Sequence, residues 1–205
     1  MTRSGNADFT GNIPDFITLC ESRLNYGSDD PEFPSPPLRV RQMEVPNTTI
    51  ALDTSGSVLL PSDFLQLRTI YMTGSPRVKL TYMTPNQMDA AYGGNVPGPP
   101  INYTIQGNQI RMAPIDTTSH TLVIDYYQKI PSLSNSNTNN WLLQAFPGLY
   151  LAGTNLEGAV FVRDNPDAEM FARLFGAHVR SLQKQNSAAN AGGDALQMMT
   201  DCGNP

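Results

Sequence analysis

The chain has 205 residues, 40% hydrophobic and only 15% charged, and its 13 Lys and Arg against 18 Asp and Glu leave a net charge of −5. That length buries a sizeable core unaided, and two cysteines are too few for a disulfide framework or a zinc site. No window clusters basic residues with interleaved aromatics, which excludes a sequence-independent grip on nucleic-acid phosphates, and no stretch reaches the roughly 18 apolar residues of a membrane span.

Residues 1–12 are small and polar and read as a flexible arm. Ile13, Phe16, Ile17, Cys20 and Leu24 recur at helical spacing over residues 13–27, with Pro14 in the first turn and Gly27 at the end. Four prolines in residues 28–37 predict a stiff, extended connector. Over residues 38–130 the period changes to two, with strands expected at 38–44, 48–53, 67–73, 77–83, 101–106, 108–113 and 120–129. Gly107-Asn108 supplies the positive φ of a two-residue hairpin turn. Two short helical pieces are expected within this β-rich insertion, one capped by Ser62 and running through Phe64 and Leu65, the other opened by the capping-box spacing of Thr84-Pro85-Asn86-Gln87 and stopped by Gly93-Gly94.

A polar linker at 131–140 leads back to helical spacing at 139–186. Trp141 to Phe146 is short and apolar. Pro147 opens a second segment with Leu149, Ala152, Leu156, Val160 and Arg163 on one stripe. Asn165-Pro166 caps and starts a third, in which Phe171, Leu174, Phe175, His178 and Leu182 share a face. Residues 187–205 are small and polar except for Leu196, Met198 and Met199, and read as an extended tail. The fold class is therefore α+β: a helical bundle of the N-terminal and C-terminal helices, carrying an antiparallel β-rich insertion.

Catalytic chemistry finds little footing. His120 and His178 have no partner at metal-ligand spacing, and no Gly-x-Ser-x-Gly elbow is present. The glycines at 93, 94 and 98 sit among prolines without a phosphate-facing helix, and Asp29-Asp30 falls in the proline-rich connector as solvated charge. No catalytic, metal or cofactor residue is assigned, and no cofactor is expected. Tyr126 and Tyr127 direct one ring to each face of a strand, which makes Tyr127 a candidate interface residue. Trp141 is another, with core packing as its competing role. The low charge suits surfaces that lie against other protein.

Four spaced segments carry a resemblance: Leu60-Pro-Ser-Asp-Phe-Leu-Gln-Leu-Arg68, Tyr103-Thr-Ile-Gln-Gly-Asn-Gln-Ile-Arg-Met-Ala-Pro114, Asp125-Tyr-Tyr-Gln-Lys-Ile-Pro-Ser-Leu-Ser134 and Asn140-Trp-Leu-Leu-Gln-Ala-Phe-Pro-Gly-Leu-Tyr-Leu151. Together they resemble the head–tail adaptor proteins of tailed bacteriophages, over roughly residues 12–185. The resemblance implies a structural, non-enzymatic subunit of the virion neck. It implies a ring, twelve-fold like the portal, that binds the portal on one side and a tail or nozzle protein on the other, with genomic DNA passing through without specific binding and no membrane involved. Acidity suits such a channel. A stopper or tail terminator is the alternative within the phage setting, and a β-rich binding module or hydrolase the alternative outside it. Gly153 and Gly158 depart from the alanine-rich helix usual in the family and imply close backbone packing or a bend. Leu196, Met198 and Met199 are the tail residues expected to fill apolar grooves on the portal or a neighbour.

Overall fold

The computed structural model describes residues 13–52, 54–74, 77–93, 96–115, 118 and 120–190. In chain order the elements are α1 (Ile13–Tyr26), β1 (Glu44–Leu52), β2 (Ser57–Leu59), β3 (Phe64–Met72), β4 (Val78–Lys79), β5 (Thr81–Tyr82), α2 (Pro85–Tyr92), β6 (Asn102–Gln106), β7 (Gln109–Ala113), β8 (His120–Gln128), α3 (Trp141–Ala145), α4 (Pro147–Val162) and α5 (Asn165–Asn190). The architecture is α+β. It divides into two compact units, one of the described residues 13–42 and 130–190, the other Met43–Lys129.

The second unit is two four-stranded sheets, ordered β1-β8-β3-β4 and β2-β7-β6-β5. All pairs are antiparallel except β5 with β6. One core serves both sheets: Leu52, Ile70, Leu122, Ile124 and Tyr126 from the first meet Ile110 and Met112 from the second, the inward half of each strand's alternation. The β6–β7 hairpin forms as its turn chemistry dictates, with Gly107 at φ 60°. The Thr84 capping box also forms, the Gln87 N–H donating to Thr84 Oγ1 and Gln87 Oε1 accepting from the Thr84 N–H.

Other expectations need correction. Residues 38–44 are not a strand: Leu38 and Val40 are buried, Arg41–Met43 is a 3-10 turn, and β1 begins at Glu44. Strand β1 passes through Pro46 because it lies at a sheet edge, where a bulge between Val45 and Thr48 places Asn47 at φ 55°. The expected helical turn after Ser62 is a tight turn closed by the Phe64 N–H on the Pro61 carbonyl (3.0 Å), and Phe64 already opens β3. The single strand expected at 77–83 is two, β4 in the first sheet and β5 in the second. Buried Leu80 sits between them, where the chain changes sheets.

On the other face of β8, Asp125 is the hub of a polar cluster. It accepts from the Asn47 N–H (2.7 Å) and the Thr69 hydroxyl (2.5 Å). Burial pulls the Asp125 carboxyl up, but those two donors together with Arg68 and Arg77 outweigh it and hold the group below its ordinary range. A depressed folded-state value adds stability above the unfolded carboxyl's range, and that stability is lost as pH falls through the folded value. Asp125→Asn is therefore expected to lower stability at pH 7 by about 1 kcal/mol. Denaturant titrations of the two proteins should converge below the carboxylate range.

In the first unit α4 packs against both α1 and α5. The proline-rich segment is not an extended connector. Ser28 and Ser35 pair through two backbone hydrogen bonds (2.8 and 3.0 Å), folding it back on the end of α1. Gly27, at φ 80°, permits this approach, since a Cβ there would stand 2.8 Å from the Ser35 carbonyl. The linker after β8 is also tied down: Asn25 accepts from the Ile130 N–H (3.0 Å), and Glu21 accepts from the Leu133 N–H (2.9 Å) and the Tyr150 hydroxyl (3.2 Å). Asn140 caps α3 by accepting from the Leu143 N–H and donates to Tyr150 Oη and the Pro131 carbonyl. Burial raises the Glu21 carboxyl despite its donors, and raises the Tyr150 phenol as well.

The buried stripe of α5 is Ala168, Phe175, Val179 and Leu182, whereas Leu174 and His178 are exposed. Of the expected face Phe175 and Leu182 are buried and Phe171 half-buried, with Phe175 meeting α4 at Gly153; only Leu174 and His178 turn away. The cap of α5 is Asp164, which accepts from the Asp167 N–H (3.3 Å). At its other end α5 continues past Ser187 to Asn190, since Ala188 and Ala189 extend a helix at little entropic cost.

Candidate assembly surface

Helix α4 carries one charged residue, Glu157, in sixteen. In an exposed helix the charge faces water and the apolar stripe faces the core. Here the polarity is reversed. Glu157 is buried and accepts from Arg23 Nε of α1 at 2.6 Å, while a second Arg23 nitrogen donates to the Phe33 carbonyl at 2.7 Å. Beside this pair the Cys20 thiol is pushed up to about 12, first by burial and then by Glu157 and Glu21.

Inward-turned charge leaves an outward face of Leu151, Thr154, Asn155, Gly158, Phe161 and Val162 with no ionisable group. Leu151 is 66% exposed, Val162 69% and Phe161 52%. Phe161 meets Phe16 of α1 edge-on, ring centres 5.6 Å apart. Between them and Ile13 opens a groove of about 450 Å³, lined by Asn155 and Gly158 of α4 and, toward α5, by Asp164, Asp167 and Phe171.

The two glycines of α4 have different reasons. A Cβ on Gly153 would collide with Cys20 Sγ and stand 3.0 Å from the Phe175 ring, so Gly153 sets how closely α1, α4 and α5 approach. A Cβ on Gly158 would meet nothing within 4 Å. Gly153→Ala is expected to lower stability by about 1–3 kcal/mol through overpacking. Gly158→Ala is expected to raise it by up to about 1 kcal/mol through helix propensity. Thermal unfolding of the two variants measures both signs.

Of the residues singled out from sequence, Tyr127 lies in the β unit, half-buried, with its hydroxyl donating to Glu44 Oε1 at 3.3 Å. Tyr126, its neighbour, is in the core and donates to Asp63 (3.0 Å). Trp141 opens α3 in the helical unit, half-buried, and its buried indole N–H has no acceptor among the described residues. Leu196, Met198 and Met199 lie outside the described residues. His120 Nε2 is 3.2 Å from the Thr118 hydroxyl, and among the described residues no three His, Cys, Asp or Glu side chains group as metal ligands. The α4 face was missed because its signal is the scarcity of charge between Pro147 and Val162, legible only once Glu157 is known to point inward.

No helix among the described residues is long and apolar enough to cross a membrane. Comparison with curated proteins finds no match. The family model described as SU10 adaptor protein matches residues 1–196. A match over nearly the whole length places the chain in that family, and the protein belongs with the phage head–tail adaptors that its four spaced motifs resemble.

Proposed function

We propose that the protein is a subunit of the phage neck whose copies form a twelve-membered ring between portal and tail, continuing the channel through which the genome passes. As a member of a structural adaptor family it acts as a component of the virion. The observation that carries the ring is the reversed polarity of α4: its charge is buried, and an outward face with no charge and with Leu151, Phe161 and Val162 exposed is open in the subunit. In a closed ring each copy meets its neighbours through two different faces, and the α4 face serves as one of them.

Tyr127 and Trp141 are proposed as further contacts. The unpartnered indole N–H supports this for Trp141, because a carbonyl from a neighbour would satisfy it. Leu196, Met198 and Met199 are proposed to anchor the tail on a neighbouring neck protein, their flexible or branched side chains filling apolar gaps. The acidic balance, −5 per chain, supports a lumen that DNA crosses without adhering.

Cryo-electron microscopy of the neck in intact particles tests the reading. The expected map shows twelve copies beneath the portal with α4 at the contact between copies. A map with this chain elsewhere in the particle, or with α4 facing solvent in the ring, overturns it. A chain ending at Asn190 tests the tail: attachment to portal-containing heads is expected to fail, and unchanged attachment removes the anchor role.

A further inference from the structure

The helical unit has a second cavity, of about 240 Å³, walled by Phe33, Ser35 and Pro36 of the folded-back loop and by Phe175, Val179 and Gln183 of α5. It falls below the roughly 300–1,000 Å³ of a small-molecule site and suits one or two side chains. Its ionisable lining residues are both cationic, Arg23 and Arg180. Ser35 Oγ is buried there without a hydrogen-bond partner among the described residues, a group that an incoming backbone would satisfy.

We propose that in the free subunit this cavity is filled by the chain's own tail, with Leu196 and Met198 as the inserted residues. Reach supports it. Gly192-Gly193 follow the end of α5 and are the residue type that reverses a chain after a helix. At about 1.5 Å per helical residue, Gln183 and Val179 lie about 10 and 16 Å back from Asn190. At about 3.3 Å per extended residue, Leu196 and Met198 fall about 10 and 16 Å beyond Gly193. The two spacings coincide, and residues two apart in an extended segment face the same way.

Charge agrees at Arg180, Arg23 being already paired with Glu157, since residues 191–205 contain Asp194 and Asp201 and no Lys or Arg. The same arithmetic keeps Leu196, Met198 and Met199 from reaching the groove beside Phe161 within one subunit. Phe171 is about 28 Å from Asn190 along α5, far beyond Leu196. The cavity and the α4 face therefore take different occupants. Storage of the tail in its own subunit does not depend on what the tail binds in the particle, which the Asn190 truncation reads separately.

The test is a disulfide trap in the full chain. Gln183→Cys and Leu196→Cys are combined with Cys202→Ser. The remaining thiol, Cys20, is buried and held protonated and does not compete. Under mild oxidation at low protein concentration, peptide mapping is expected to find positions 183 and 196 joined within one chain. Linking should be at least tenfold faster than in a control that replaces Gln183→Cys with Lys184→Cys, one residue off the cavity wall. Unfolding curves matching the parent protein confirm that the variants fold. Links between chains, or a rate equal to the control, overturn the proposal.

Discussion

Replacing Arg23 with Met is expected to destabilise the helical unit by about 3–5 kcal/mol. Arg23 is 6% exposed and Glu157 7%, and they meet at 2.6 Å. Taking two charges out of water is expensive, and their mutual attraction offsets it only while both are present. Arg23→Met leaves the Glu157 carboxylate buried and unpaired and frees the Phe33 carbonyl that the guanidinium also holds. The double variant Arg23→Met, Glu157→Leu removes the stranded charge. Its stability should return to within about 1–2 kcal/mol of the parent, since buried ion pairs exchange for apolar residues at little net change. Urea denaturation of the three proteins measures both steps. A single variant within about 0.5 kcal/mol of the parent would show that water reaches the pair. Family membership gives the pair a second consequence: with Glu157 neutralised by a helix of its own subunit, α4 is free to present an uncharged face outward.

Leu151→Asp and Val162→Asp, tested separately, are expected to abolish ring assembly while leaving the subunit folded. Both side chains are mostly in water, so each substitution should change subunit stability by no more than about 0.5 kcal/mol. In the ring the same position would bury an unpaired carboxylate, a penalty of several kcal/mol at each contact, and a closed ring repeats it at every copy. Mass photometry of the purified variants and complementation of a phage lacking the parent protein read the two halves. Folded variants that still form rings and produce particles would remove α4 from the interface. Phe161 is a poorer probe because its contact with Phe16 would be lost in the same substitution.

The readings that held rest on chemistry contained within a few residues. The β6–β7 hairpin needs only Gly107 with its flanking alternation, and α2 only the reciprocal bonds of Thr84 and Gln87. The readings that failed needed a distant partner. Residues 77–83 alternate as one strand would, yet the chain changes sheets at Leu80, which packs in the shared core while Val78–Lys79 pair with β3 and Thr81–Tyr82 with β6. On α5 the spacing named Phe175 and Leu182 rightly, but Leu174 and His178 could not be separated from them until Phe175 was seen to meet Gly153.

The candidate surface divides in the same way. Composition, the scarcity of charge in α4 and the four spaced motifs are properties of the chain itself, and they determine an α+β structural protein of the phage adaptor class. Which side of α4 faces outward is decided by Arg23, 134 residues before Glu157. The bond between them is a balance of desolvation and attraction that exists only when the core is assembled, and local sequence has no access to it.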